Sequence, residues 1–381
     1  MADVTRRGAL AGAAANLLML KPQTVFGSQA NSAISFGIIG TGGRGRYVGT
    51  LMTKVPQARL GAICDLYPDR IDLAKTQIPG ADKVKAYKDY KELLAQTDID
   101  AVLIATPVYL HPEHFEAAVN ARKHIYCEKP AGADVAGVKR LMRAAERADK
   151  SKTIAFGYQQ RFSPEYLKAE NMLRTGQIGE LNLMLSYWIW GGNAFRPFTP
   201  PPMPEEHKKN RLWHHFKETS GDFIVEQDCH GLDVLNWFAQ AHPLKATGEG
   251  GRKARKWGDN TDHANVIYEY PNGLKGWLLG TQLPPSPYWD VKEQFIGTLG
   301  ALETSRNYLS VFEAGKRDWV KTESKREITN DAVEAFFKSI ADKKPFSMAK
   351  DAAESTLTAI LGRMACEKRR EVTWQEMWDS A

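Results

Sequence analysis

Ile34-Ser35-Phe36-Gly37-Ile38-Ile39-Gly40-Thr41-Gly42-Gly43-Arg44-Gly45 is the stretch on which the fold turns. The first six residues are mostly apolar without regular polar alternation, which suits a strand buried on both faces. They run straight into glycines at 40, 42 and 45, the G-x-G-x-x-G spacing. In that pattern the first glycine makes a tight turn, the second lets backbone approach a pyrophosphate, and the third lets the next helix pack against the strand. That helix aims its first amides at the phosphates, so Gly43 and Arg44, which open it, join the candidate cofactor-binding set. Glycine spacing alone is a weak signal, and the context strengthens it. A second strand, residues 59–63, ends at Cys64-Asp65, and Asp65 falls near the spacing of a ribose-binding acid. A carboxylate there accepts the ribose hydroxyls of NAD and repels the extra phosphate of NADP, so NAD is expected over NADP. The alternative role for Asp65 is a helix cap or turn, and Arg70 is the nearby residue able to weaken the NAD preference.

Outward from this core the α/β rhythm continues. Helical patterns cover residues 89–96, 112–121 and 138–148. Strand patterns cover 99–105, 124–127 and 153–157, ending in Thr106-Pro107, Glu128-Lys129-Pro130 and Tyr158-Gln159-Gln160-Arg161. Such alternation predicts a parallel sheet with helices on both faces, and ligands lie beyond the carboxyl ends of its strands. Thr106, Pro107, His111, Glu128, Lys129, Tyr158 and Gln160 thereby become cofactor-binding candidates beside the glycine loop.

The motif Ala105-Thr106-Pro107 followed by His111, and the triplet Glu128-Lys129-Pro130, resemble the Gfo/Idh/MocA oxidoreductases, the glucose–fructose oxidoreductase and inositol dehydrogenase group. Gly157-Tyr158-Gln159-Gln160-Arg161-Phe162 and Gly176-Gln177-Ile178-Gly179 extend the resemblance over nearly all of the chain after Ile34. It implies a Rossmann domain (residues 31–160) followed by an α+β domain (161–381) with an open, mostly antiparallel sheet. It also implies a carbohydrate substrate and a homo-oligomer, dimer or tetramer. The local pattern agrees: a helix over 165–175 precedes long strand patterns at Leu181–Trp190, 264–270 and 274–279, with Tyr270-Pro271-Asn272-Gly273 as a hairpin turn.

Chemistry in the second domain concentrates in Gly221-Asp222-Phe223-Ile224-Val225-Glu226-Gln227-Asp228-Cys229-His230. On an α-helix Glu226 and His230 share a face at i and i+4, where the carboxylate would hold the imidazole and raise its pKa. Such a pair suits proton transfer at a sugar hydroxyl. The family resemblance implies Asp-x-x-x-His here; this chain has Glu226 in the acid position. Lys129 is the second catalytic candidate, an ammonium whose pKa falls if burial dominates and which can bind the reacting hydroxyl. The substrate-binding candidates are Lys129, Arg161, Trp188, Trp190, Arg196, Trp213, Glu226 and His230. Indole rings stack on the apolar faces of sugars, although sheet-core packing accounts for many aromatics as well. A Pro-rich insertion around Pro200-Pro201-Pro202 reads as a lid over the pocket or a subunit contact. His214-His215 is a poor metal pair because adjacent side chains diverge, and no metal is expected.

At the N-terminus, Thr5-Arg6-Arg7 precedes an uncharged run from Gly8 to Leu20, with Ser28-Gln29-Ala30 as a small-x-small cleavage site. The run is too short to span a bilayer. Residues 1–30 resemble a twin-arginine (Tat) export signal, which places the folded protein in the periplasm; a cytoplasmic protein with an Ala-rich extension is the other reading.

The 381 residues, 43% hydrophobic and 25% charged, describe a soluble multidomain protein rather than a disordered chain or a multispan membrane protein. Four scattered cysteines make no disulfide framework or zinc ribbon. A net charge of +6 is too small and too dispersed to indicate nucleic-acid binding. Ten tryptophans favour a sugar pocket. The expected activity is NAD-dependent hydride transfer at a carbohydrate hydroxyl. The alternatives are a redox-neutral NAD-dependent glycoside-cleaving enzyme and a non-catalytic sugar- or cofactor-binding protein.

Overall fold

The computed structural model describes residues 33–191 and 198–381. The expected signal segment, and Arg196 at the start of the insertion, lie outside the described residues.

The first sheet contains β1 (Ile34–Ile39), β2 (Ala58–Cys64), β3 (Lys85–Tyr87), β4 (Ala101–Ile104), β5 (His124–Cys127) and β6 (Ile154–Phe156). The strands are parallel, in the order β3-β2-β1-β4-β5-β6. The order reverses between β1 and β4, and a crevice opens there beyond the strand ends. Every residue of β1 is buried, as a sheet covered on both faces demands. Helix Val135–Glu146 starts where the Asp134 carboxylate accepts the Gly137 amide at 2.7 Å. Cys64 and Cys127 stand on β2 and β5 with two strands between them, and both are free and buried.

Helix Pro164–Arg174 leads into the second sheet; Pro164 suits a first helical position, and Gly176 ends the helix at φ 74°. The second sheet comprises β7 (Leu181–Trp190), β8 (Lys245–Gly251), β9 (His263–Glu269), β10 (Lys275–Thr281), β11 (Trp289–Gly297), β12 (Gly300–Ser305), β13 (Tyr308–Glu313), β14 (Val320–Glu323) and β15 (Val372–Thr373). Only the β7–β10 pairing is parallel. Asn272 and Gly273 take positive φ in the β9–β10 hairpin. Along β7 the side chains of Met184, Ser186 and Trp188 turn inward beneath helix Cys229–Ala239. The opposite face of the sheet presents Ile267 and Trp277, both nearly half exposed.

After β14 the chain leaves the second sheet, to which only β15 returns. Helix Ile328–Ala341 packs on the first, with Phe337 edge-on to Phe36 at 5.6 Å and Phe336 edge-on to Tyr126 at 5.7 Å. Ile154 then exchanges backbone hydrogen bonds with Phe346 and Met348. Helix Ala349–Lys368 wedges between the two halves, touching helices Val135–Glu146 and Cys229–Ala239. Among the described residues no helix is long and apolar enough to cross a membrane.

Candidate active site

The glycine loop leaves β1 with Gly40 at φ 90°. A methyl at Gly45 would lie 1.9 Å from the Gly40 carbonyl oxygen, so helix Gly43–Met52 docks this closely only on a glycine. Cβ atoms at Gly42 and Gly43 would meet nothing within 4 Å, leaving bare backbone open at the helix N-terminus. That is the cradle a pyrophosphate needs. Asp65, at the end of β2, braces the loop: its carboxylate accepts the Thr41 amide at 2.8 Å, the Thr41 hydroxyl at 3.1 Å and the Tyr67 amide at 3.0 Å. Asp65 is therefore a turn organiser as well as a wall of the cleft.

The cleft has a volume of about 920 Å³, room for a dinucleotide's reactive half and a small substrate. It brings together Gly40, Gly42, Gly43, Arg44, Asp65, Thr106, Pro107, Glu128, Lys129, Trp213 and Glu226. Glu128 is buried and pairs with Arg44 at 2.9 Å. Its place depends on Gly157, where a Cβ would lie 2.5 Å from a Glu128 carboxylate oxygen. His111 also borders the cleft, but its ring nitrogens face the Pro130 and Thr106 carbonyl oxygens at 2.7 and 2.9 Å. It is 1% exposed, and burial lowers its pKa. His111 thus straps two strand-end loops together rather than presenting a polar atom to a cofactor.

The expected Glu226–His230 hydrogen bond is replaced by a different arrangement. Residues Ile224–Asp228 form a π turn, and the α-helix begins only at Cys229. The wider turn leaves the Glu226 carbonyl free to accept from Lys129, which also meets the Glu226 carboxylate at 2.9 Å. Burial would lower the Lys129 ammonium, but the charge and hydrogen bond of Glu226, with Cys229 and Glu128 nearby, together outweigh it and the net shift is upward, against the expected fall. Burial would raise Glu226, but Lys129 turns its shift downward, so both members of the pair are charged. His230 lies one layer deeper, 4% exposed, its ring flat against Trp188 at 5.3 Å and 7°. Burial, then the charges of Lys129, Arg306 and Arg44, hold its pKa well below the usual histidine value, the reverse of the expected rise. The imidazole is neutral, and its Nδ1 has no hydrogen-bond partner among the described residues; nor has Trp188 Nε1 beside it. Two orphaned buried polar atoms behind the Lys129–Glu226 pair suit the hydroxyls of a polar ligand.

Three further expectations fail on packing. Arg161 is held by Asp233 through contacts of 2.8 to 3.1 Å and lies 3.5 Å from Asp351, so its guanidinium joins secondary elements instead of reading substrate. Tyr158 is wholly buried behind His230, edge-on at 5.9 Å. Gln160 is buried as well, and neither residue lines the cleft. Trp190 stands at the open end of β7, tilted against Trp289.

Sequence reasoning missed the residues that roof the cleft. Helix Glu205–Arg211, inside the Pro-rich insertion, crosses to the first domain. Arg211 forks onto Asp69 and rests 4.0 Å above the Tyr67 ring, while Tyr109 donates to the Asn210 side chain. The insertion was visible as a candidate lid, but nothing local marked its anchors. Asp222 was missed too: at φ 77° it accepts the Phe223 and Thr261 amides, fixing the turn that carries Glu226.

Comparison with known proteins agrees with this geometry. Residues 34–156 match the model of the oxidoreductase family with an NAD-binding Rossmann fold, and residues 166–303 match the GFO/IDH/MocA C-terminal domain. Myo-inositol 2-dehydrogenase of Thermotoga maritima is 24% identical over 355 residues, covering 90% of this chain and 98% of that protein. An inositol 2-dehydrogenase of Acidothermus cellulolyticus is 27% identical over 227 residues, 59% of each. Scyllo-inositol dehydrogenase from Lactobacillus casei, solved with NAD(H) and scyllo-inositol, superposes with TM-score 0.71 at 23% identity over 90% of this chain and 99% of that one. A levoglucosan dehydrogenase in complex with NADH and levoglucosan reaches TM-score 0.76 at 19% identity, with the same coverage. With both of its halves matched in order and its glycine loop, Glu128, Lys129 and Glu226 gathered at one cleft, the chain belongs to the Gfo/Idh/MocA oxidoreductase family.

Proposed function

We propose that the protein is an NAD-dependent oxidoreductase that moves hydride between a carbohydrate hydroxyl and the nicotinamide. The observation that carries this reading is the neutral His230, its Nδ1 unpartnered, buried within reach of charged Lys129, which lines the same cleft as a bare glycine cradle. Gly42, Gly43 and the first amides of helix Gly43–Met52 would hold the pyrophosphate, and Asp65 the adenosine ribose. Bound NAD supplies the hydride acceptor. Lys129 donates to the substrate hydroxyl and fixes its orientation. His230 takes the hydroxyl proton as the alcohol is oxidised, which its depressed pKa permits at neutral pH, and returns it in the reverse direction. Trp188 keeps water from the imidazole's face. Names among the relatives, inositol 2-dehydrogenase above all, support a polyol or sugar as substrate. The test is to denature purified protein, quantify released NAD(H), and follow cofactor absorbance with a panel of sugars, polyols and glycosides. Reduction with a sugar supports dehydrogenase chemistry; product release without net reduction supports the redox-neutral alternative.

Three wider readings accompany this one. The arginine pair at Arg6-Arg7 and the apolar run after it support export through the Tat route; Arg6→Lys with Arg7→Lys should abolish periplasmic appearance. The roof over the cleft supports a cofactor kept through successive cycles, as an exported dehydrogenase requires. The exposed sheet face with Ile267 and Trp277 supports a homo-oligomer, which sedimentation measures directly.

A further inference from the structure

Arg306 occupies the turn between β12 and β13. Its guanidinium lies 5.5 Å from the Trp188 ring centroid and 5.9 Å from that of Trp289. Trp188 in turn covers His230. The charge of Arg306 reaches the imidazole, and that of Arg44, a wall of the cleft, reaches both.

The other cations around His230 have internal counterions: Lys129 has Glu226, and Arg44 has Glu128. Arg306 has none. Among the described residues no carboxylate forms an ion pair with it, and its Nε is buried without a hydrogen-bond partner. The acid behind it, Glu293, does not fill that role. Tyr166 and Thr304 donate to one Glu293 oxygen, and burial pushes its pKa up to about 7. A half-buried guanidinium with one buried, unmet donor is costly, and an arriving anion would offset that cost. Its planar fork matches a carboxylate or phosphate, and the exposed Trp289 indole beside it matches the apolar face of a sugar ring.

We propose that Arg306 is a specificity-determining residue that binds an anionic substituent of the substrate, so that the preferred substrate is an acidic sugar, bearing a carboxylate or a phosphate, rather than a neutral polyol. This rests on the oxidoreductase reading for the reaction but not for binding. Arg306 does not touch the proton or hydride; it sets which sugar is held against His230.

The test uses the full-length protein with its bound cofactor. Tryptophan fluorescence is titrated with D-glucuronate, D-glucose 6-phosphate, D-glucose and myo-inositol, and cofactor reduction is followed with each. Glucuronate or glucose 6-phosphate should bind at least tenfold more tightly than the neutral pair, and the better of the two identifies the anion. In Arg306→Gln the acid-to-neutral ratio should fall towards one through a rise in KM, while Arg306→Lys, which keeps the charge but not the fork, should restore part of it. Equal binding of acidic and neutral sugars by the wild type, or an unaltered ratio in a folded Arg306→Gln protein, overturns the proposal. Tight glucuronate binding through Arg306 with no sugar reducing the cofactor would instead sink the oxidoreductase reading and leave the anion site standing. Oxidation of neutral sugars with no acid preference would do the opposite.

Discussion

The carboxylate of Glu226 sits 2.9 Å from the Lys129 ammonium, a partner 97 residues away in the other domain, while His230, on its own helical segment, keeps an unpartnered Nδ1. This exchange of partners sets the chemistry. The pair joins the two walls of the cleft and keeps Lys129 charged. It leaves the imidazole without a carboxylate to stabilise its protonated form, so His230 is a base at rest.

Lys129→Met tests the pair. Glu226 would lose its counter-charge; because part of it still meets solvent, the cost should be below that of a fully buried pair, about 2 kcal/mol. Turnover should fall roughly a hundredfold or more. His230 would also lose the cation that depresses it most after burial, so its pKa should move back up. The acid limb of the pH profile of the residual activity should then lie at higher pH than in the wild type, still held down by burial; an unmoved limb would contradict the influence of Lys129 on His230.

His230→Ala should lower turnover by about 10²- to 10⁴-fold while NAD still co-purifies, since His230 lies outside the wall that holds the glycine cradle. Parallel loss of cofactor and activity would mean that the residue shapes the cleft rather than moving a proton.

Glycine positions should separate folding from binding. Gly45→Ala forces a methyl to 1.9 Å from a backbone oxygen and should destabilise by about 3 kcal/mol or prevent folding. Gly43→Ala meets no protein atom and sits at a helix start, so its melting temperature should hold while NAD affinity falls, as the new methyl enters the cradle. Calorimetric melting with and without added NAD distinguishes the two.

Glu293 gives a stability signature in pH. Burial raises its folded pKa to about 7 from an ordinary 4.5, so above pH 4.5 the unfolded chain releases a proton that the folded one keeps. Stability is therefore fully retained below about pH 4.5 and lost progressively as pH rises towards 7. Glu293→Gln should accordingly be close to neutral at pH 4 and stabilising by about 3 kcal/mol at pH 8. Denaturant midpoints at the two pH values measure it, and an equal effect at both would contradict the raised pKa.

Much of this architecture is written in local pattern. The strands at His124–Cys127 and Leu181–Trp190 can be read to the residue, because runs of apolar, aromatic and β-branched residues between polar breaks admit little else. The cradle is equally legible, since its glycines meet sequence-local constraints. Non-local partners are not. Arg161 has the same sequence environment whether it faces a substrate or Asp233, 72 residues on. Glu226 and His230 looked like neighbours because an α period was assumed, and the π turn breaks that period. The return of helix Ile328–Ala341 to the first sheet leaves no mark in its amphipathic pattern, which is satisfied by any apolar face.

Arg211 and Asp69 give the cleft a latch on its solvent side. Both groups are partly exposed, so their attraction is screened by dissolved ions, unlike that of the Lys129–Glu226 pair beneath. The residence time of whatever lies under the roof thus becomes a function of ionic strength, whereas the geometry around His230 does not. Dialysis in strong salt would strip such a protein of its contents without unfolding it, and desalting would let it be reloaded.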